Sequence, residues 1–226
     1  MRSRLVIAID GPAGAGKSTV ARRLARRLAY RYLDSGALYR AVTLAALRAG
    51  LDPADEQHEE RVVALARTAD VRLEDGPDGP RVLLGGDDVS AEIRGAAVSN
   101  AVSTVSALPR VREAMVPLQK GIAAGGGVVA EGRDIGTVVF PDADVKFFLD
   151  ADPGVRAERR ARELGESNVE SVARGIAARD RDDSERPVAP LRVAADALRV
   201  DTTPLTLDEV VERLASVVVR RVASAD

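Results

Sequence analysis

Lys17 and Ser18 are the residues of this chain whose type and spacing point most directly at chemistry. They stand in the run Gly11, Pro12, Ala13, Gly14, Ala15, Gly16, Lys17, Ser18, Thr19, whose first eight residues fit G-x-x-x-x-G-K-[ST]. Gly11, Gly14 and Gly16 let the backbone bend so that successive N–H groups face phosphate oxygens. Lys17 in this position reaches β- and γ-phosphates, and the Ser18 hydroxyl is placed to hold Mg²⁺. The expected ligand is a nucleoside triphosphate with its metal.

Such a loop works only between a strand and a helix. Leu5 to Ile9 is a short apolar run rich in β-formers, and Asp10 ends it at the glycine turn. Val20, Ala21, Leu24, Ala25 and Leu28 make one apolar face at helical spacing, so a helix opens at Lys17 and adds its free N–H groups and positive dipole end. Arg22, Arg23, Arg26 and Arg27 lie opposite that face and read as solvated.

Further along, Tyr32 to Asp34 reads as a second strand and Ala37 to Ala49 as a helix, and Asp52-Pro53 restarts another helix. The composition changes near Asp70. Val71 to Leu73 and Arg81 to Leu84 read as antiparallel strands about the turn Gly76 to Pro80, with Asp87 to Val89 a candidate third. Helical spacing returns from Arg94 to Val105 and from Val111 to Ala123, the latter interrupted by Pro117. Then come a strand at Val128 to Glu131, one at Val145 to Leu149, a helix from Asp152-Pro153 to Gly165, and a helix from Val169 to Arg186. A fifth strand is expected at Ala197 to Val200 and a last helix at Thr206, where Thr206 and Glu209 fit a capping box. Strands alternating with helices imply an α/β fold, a five-stranded parallel sheet with helices on both faces, carrying a small antiparallel β insert. Ligands of such sheets bind beyond the carboxyl ends of the strands. That rule groups the phosphate loop, Asp34-Ser35 and Glu131 to Asp134 about one cleft.

The 226 residues are 46% hydrophobic and 30% charged, which describes a soluble globular chain of one or two domains. A net charge of −2 with interspersed signs argues against a nucleic-acid or membrane surface. There is no cysteine, which excludes disulfides and thiolate metal sites and suits a cytoplasmic setting. The first residues lead straight into a strand with no signal peptide, and no apolar run would span a bilayer. Nothing demands more than a monomer.

Phosphoryl transfer needs positioning and positive charge around the transferred group. Arg40, Arg133, Arg179 and Arg186, at strand ends or helix termini, are the candidates, because a guanidinium grips phosphate bidentately and keeps its charge. Asp34 and Glu131 could orient metal-bound water, although Asp34 could equally cap the next helix. Asp183 lies in a charge-rich run where a solvated face is the default. His58, the only histidine, falls in a polar surface helix. No nucleophile–base pair stands out, which favours direct transfer. A GTPase switch would carry an N-K-x-D motif, and none is present.

The chain resembles the bacterial-type cytidylate kinases, a branch of the nucleoside monophosphate kinases. IDGPAGAGKST at Ile9 to Thr19, LDSGALYR at Leu33 to Arg40, EGRDIGTVVFPDADVKFFLDA at Glu131 to Ala151 and RDRDDSERPVAPL at Arg179 to Leu191 carry the likeness. DDVSAEIR at Asp87 to Arg94 and PRVRE at Pro109 to Glu113 add to it. The resemblance implies ATP and Mg²⁺ as cofactors and CMP or dCMP as the small-molecule acceptor. It implies that Ser35, Ser103, Arg112 and Asp134 surround the cytosine, and that Arg40, Arg133 and Arg186 clamp the monophosphate. It also puts Asp183 and Arg179 at the ribose and Arg156, Arg159 and Arg160 on a short lid over ATP. Residues 1–34 and 124–226 would form the phosphate-loop core, with the lid at about 153–166. Residues 35–123 would form the monophosphate-binding region, its β insert at about 70–89.

Overall fold

The structure, a computed structural model, describes residues 4–76 and 79–223. The chain opens with β1 (Val6–Asp10), α1 (Lys17–Leu28) and β2 (Arg31–Asp34). It continues through α2 (Ser35–Arg48), α3 (Glu59–Thr68), β3 (Val71–Gly76), β4 (Gly79–Leu84), β5 (Asp87–Asp88), α4 (Ala96–Ala107) and α5 (Pro109–Ile122). It closes with β6 (Val128–Gly132), β7 (Val145–Asp150), α6 (Pro153–Leu164), α7 (Val169–Glu185), β8 (Leu198–Asp201) and α8 (Leu207–Ala223). Two compact units result, one of residues 1–33 and 123–226, the other of residues 34–122.

The first unit is built on a five-stranded sheet in the order β2-β6-β1-β7-β8. β1 is its centre, parallel to β6 with Ile9 opposite Glu131 and to β7 with Ile9 opposite Phe147. All five β1 residues are buried, as a strand flanked on both sides and covered on both faces must be. Ile7, Ile9, Val129, Phe147 and Leu149 pack with Val20 and Leu24 of α1 and with Val211, Leu214 and Val218 of α8. Those helices turn their charged faces outward. Arg23 pairs with Asp208 there, and Arg27 with Glu212, so the paired arginines sit at the surface as expected. The capping box at α8 forms: the Glu209 carboxylate accepts from the Thr206 backbone N–H at 2.8 Å, and the Glu209 N–H donates to the Thr206 hydroxyl at 3.3 Å.

The second unit packs α2 to α5 with a three-stranded antiparallel sheet in the order β3-β4-β5. Leu38, Val42, Val62, Val82, Ile93, Val102, Val105 and Met115 fill its core. The expected strand pair is present, with Val71 opposite Leu84, while the tip of its turn at Pro77-Asp78 lies outside the described residues.

Two local expectations need correction. Asp52-Pro53 does not start a helix: the carboxylates of Asp52 and Asp55 accept from the N–H groups two residues on, at 3.0 and 2.9 Å, and hold turns. A 3₁₀ turn at Glu56–His58 follows, and α3 begins only at Glu59. The helix expected from Arg94 begins at Ala96, after a 3₁₀ turn at Glu92–Arg94. Between β6 and β7, where the sequence carries no expectation, Ile135–Val139 forms a π-helical turn.

Candidate active site

In the first unit the phosphate loop has the backbone its sequence demands. Gly14 and Gly16 take positive φ angles of 74° and 86°. A Cβ on Gly11 would stand 2.0 Å from the carbonyl oxygen of Leu149, and one on Gly14 would stand 2.7 Å from that of Arg156. Side chains are therefore excluded from both positions. The N-cap of α1 is Gly16, which offers no side chain to the helix, and the first turn of α1 has no acidic residue. That leaves a helix N-terminus suited to an anion. Ser18 and Thr19 are exposed there.

Lys17 is buried, and its ammonium donates to the carbonyl of Pro12 at 2.6 Å. Burial pushes its pKa down to about 7, and the neighbouring cations Arg133 and Arg179 push the same way against the carboxylates of Glu131 and Asp10. Positive charge is thus gathered around a loop shaped for phosphate. Among the described residues no cluster of His, Asp or Glu side chains could hold a metal ion unaided. The exposed Ser18 hydroxyl fits a metal that takes its remaining ligands from water and phosphate.

Beyond β6, a second group of charges assembles on one carboxylate. Asp183, buried on α7, accepts from Nε of Arg133 at 2.7 Å. Its oxygens also lie 3.9 Å from Nη1 of Arg186 and 4.0 Å from Nε of Arg179. Burial pushes the Asp183 pKa up, but the guanidinium groups of Arg133, Arg179 and Arg186 together hold it below the usual carboxylate value. Arg186 reaches on to Asp134 at 3.4 Å and donates to the carbonyl of Ala189. Asp134 is buried as well. Arg133, Asp134, Arg179, Asp183 and Arg186 are therefore one ion cluster, and Asp183 does not lie on a solvated face. Glu131 is buried and accepts from the hydroxyl of Tyr32 at 2.9 Å.

The three arginines of the expected lid have separate surroundings. Arg156 donates from Nη1 to the carbonyl of Ala13 at 3.0 Å and pairs with Asp180, whose carboxylate also accepts the Ala13 N–H at 3.0 Å. Arg159 bonds to the hydroxyl and carbonyl of Thr202 at 2.9 and 2.8 Å, and that hydroxyl lies 3.4 Å from the carbonyl oxygen of Ala15. Arg160 pairs with the exposed Glu163 on its own helix.

In the second unit, Asp34 caps α2 through the Ala37 N–H at 2.9 Å, and Ser35 is the buried first residue of that helix. Arg40 donates to the carbonyl of Ile93 at 3.1 Å and to the Ser99 hydroxyl at 2.9 Å. Arg112 is buried, lies 5.3 Å over the ring of Tyr39 and donates to the carbonyl of Ser106 at 3.1 Å. Ser103 stands on α4, its carbonyl accepting from Ser106 at 3.2 Å.

A family model described as cytidylate kinase matches residues 7–220. The chain belongs to the cytidylate kinase family. Its relatives include the cytidylate kinase of Geobacillus kaustophilus (strain HTA426), 53% identical over 226 residues, covering 98% of this chain and 100% of the relative. That of Mycolicibacterium paratuberculosis (strain ATCC BAA-968 / K-10) is 50% identical over 230 residues, covering 98% of each. Among solved structures, a gluconokinase from Sinorhizobium meliloti 1021 is similar with a TM-score of 0.49 at 15% identity, over 100% of this chain and 97% of that one.

Two carboxylates at the site of this cytidylate kinase family member escape a sequence reading. Asp180 takes the Ala13 N–H from 167 positions away. Asp10 ends β1 and accepts from the N–H groups of Ile135 and Gly136 at 2.8 and 2.7 Å. The strand-ending aspartate before Gly11 was visible, but its partners are backbone groups, which leave no mark in sequence.

Proposed function

We propose that the chain transfers the γ-phosphoryl group of ATP to CMP or dCMP, releasing ADP and CDP or dCDP. The observation that carries this reading is the gathering of Arg133 and Arg179 beside Lys17 of the glycine loop at the end of β1, with Arg186 joined to them through Asp183. An acceptor oxygen attacks the γ-phosphorus directly, and the bond from phosphorus to the β-bridging oxygen breaks. The protein's part is to fix both partners and to meet the charge that spreads over the transferred oxygens.

Within this reading, the loop from Gly11 to Thr19 wraps the donor phosphates with its backbone N–H groups, and Lys17 neutralises their charge. Ser18 would hold Mg²⁺, which when bound would supply further positive charge beside the donor phosphates. Arg133 and Arg186 take the acceptor phosphate, and Arg40 of the second unit is assigned the same ligand. Asp183 keeps the arginines oriented and, with Arg179, serves the ribose. Asp134 accepts from the N4 amino group of cytosine, while Arg112 donates to the ring acceptors and Ser35 and Ser103 complete the polar surround. Uracil presents a carbonyl where cytosine presents its amine, so Asp134 would face a second acceptor. Arg156, Arg159 and Arg160 are assigned to the lid over ATP, and Arg156, which touches the phosphate loop, is the one proposed to meet the γ-phosphate.

The test is ADP release from ATP–Mg²⁺ with CMP, dCMP, UMP, AMP and GMP offered separately. CMP and dCMP should lead. Asp134→Asn should narrow the preference for CMP over UMP by about tenfold or more, the scale of one unsatisfied buried polar group. Lys17→Ala should lower turnover by about a hundredfold or more, and a fall of only a few-fold removes the loop from the mechanism.

A further inference from the structure

Asp10 is a buried carboxylate that the reaction just described does not use. It is the last residue of β1, and Gly11 of the phosphate loop follows it directly. In the sheet it stands opposite Gly132, the residue before Arg133 and Asp134. Its two carboxylate oxygens are committed to the turn beyond them, Oδ1 to the Ile135 N–H and Oδ2 to the Gly136 N–H. Those amides open the π-helical turn Ile135–Val139 and find no acceptor within it, because the first N–H groups of any helical turn point away from its own carbonyls. The Asp134 side chain does not cap them. Asp10 does so from another strand.

The fit is close. A Cβ on Gly136 would come within 3.3 Å of Oδ2 of Asp10 and 3.1 Å of Cδ of Lys146. Asp134 and Lys17 are the charged groups nearest in effect, the first opposing ionisation of Asp10 and the second favouring it. Lys146 is fixed elsewhere, on the carbonyl of Pro141 and the carboxylate of Asp196.

We propose that Asp10 is a positioning residue for the transfer: by gripping Ile135 and Gly136 it locks the Arg133–Asp134 turn to the strand that carries the phosphate loop. The donor-side loop and the acceptor-reading residues then hold one spacing. Shifting Asp134 relative to Lys17 would require breaking two charge-assisted hydrogen bonds in a buried site, each stronger than an ordinary amide bond. Misplacement of reacting groups by about 1 Å can cost about a hundredfold in rate, so such a clamp matters far more to turnover than to fold. The proposal rests on the assignment of Asp134 to the base.

Two variants test it. Asp10→Asn keeps the shape but leaves one oxygen for two donors and turns an amide group toward the other. Gly136→Ala keeps the Asp10 charge and pushes the amide off it. Hydrogen–deuterium exchange of residues 131–136 in the full chain should rise by about tenfold or more in both, with α1 unchanged. In steady-state assays kcat/KM for CMP should fall about tenfold and the preference for CMP over UMP should narrow, while KM for ATP stays within about twofold. Exchange at the wild-type rate overturns the clamp whatever the substrate proves to be. Faster exchange with an unchanged CMP-to-UMP preference, and with the ATP and CMP constants declining together, reduces Asp10 to a structural support and overturns its positioning role. A preference unmoved by Asp134→Asn refutes the base reading instead, and is recognised by that variant alone.

Discussion

Replacing Asp183 by asparagine separates a solvated aspartate from the hub of an ion cluster. The side chain is buried, with Arg133 at 2.7 Å and Arg186 at 3.9 Å, and both of those guanidinium groups are largely enclosed too. Removing one partner from a buried pair costs about 3–5 kcal/mol, because the charge left behind is neither paired nor hydrated. The substituted amide would still offer a carbonyl to Nε of Arg133, and Arg186 would keep Asp134 at 3.4 Å. The loss should therefore lie at the low end, about 3 kcal/mol. Arg179 is a third exposed and adds little through solvent.

Urea unfolding followed by circular dichroism gives the number. With Arg133→Gln added to Asp183→Asn, the combined loss should be smaller than the sum of the two by about 1–3 kcal/mol, since the second change removes the stranded cation. Sulfate should stabilise Asp183→Asn more than the wild type, because an anion bound beside Arg133, Arg179 and Arg186 replaces the carboxylate they share. Acid should erase the difference between wild type and variant. The folded pKa of Asp183 is held below its ordinary value of 3.8, so its contribution is complete above that pH and is lost as the pH falls through the lowered value. A variant within about 0.5 kcal/mol of wild type at pH 7, as surface substitutions are, would refute the cluster.

Asp10 should show the opposite pH dependence. Burial, resisted by the N–H groups of Gly136 and Ile135, raises its pKa from 3.8 to about 6. The folded chain then binds the extra proton between these values, and the stability of wild type relative to Asp10→Asn should fall by about 3 kcal/mol as the pH rises from about 4 to 6 and stay level above. Unfolding curves at four pH values decide it, and a difference that grows with pH in this window contradicts the burial cost. Asp180→Ala removes the acceptor of the Ala13 N–H and leaves Arg156 only its carbonyl partners; KM for ATP should rise about tenfold with KM for CMP unchanged, the worth of one charge-assisted bond.

The phosphate loop was legible because everything it needs is local: a strand, three glycines, a lysine and a helix within one stretch of chain. The same holds for the capping box at Thr206 and for the strand pair about Gly76. Asp183 shows where such reading stops. Its run of charges looks solvated when counted by composition, yet Asp183 is buried between Arg133, Arg179 and Arg186. Only Arg179 and Asp183 share a face of α7, four residues apart, because the helix ends at Glu185 and Arg186 is its extended C-cap, so spacing alone does not mark the cluster. The Asp52 region failed for the opposite reason, since its side chains compete for the backbone N–H groups a helix start would use.

Asp10 and Asp180 lay beyond any pattern. Each binds amides more than a hundred positions distant, and an amide has no identity in sequence. Both serve the same physical need. A glycine-rich loop holds its shape at an entropic disadvantage, because its residues lose more freedom on ordering than any others. Packing fixes only part of it: Ala15 is buried in the core, while side chains are excluded at Gly11 and Gly14 by the carbonyls of Leu149 and Arg156. Hydrogen bonding supplies the rest, from Lys17 to the Pro12 carbonyl within the loop and from groups outside it. Asp10 anchors the strand entering it, Asp180 with Arg156 holds the Ala13 peptide from both sides, and Thr202, itself held by Arg159, lies against Ala15. Arg156, Arg159, Asp180 and Asp10 thus form a frame around a loop with few side chains of its own to pack. A kinase needs that frame because the loop must be in place before the phosphates arrive.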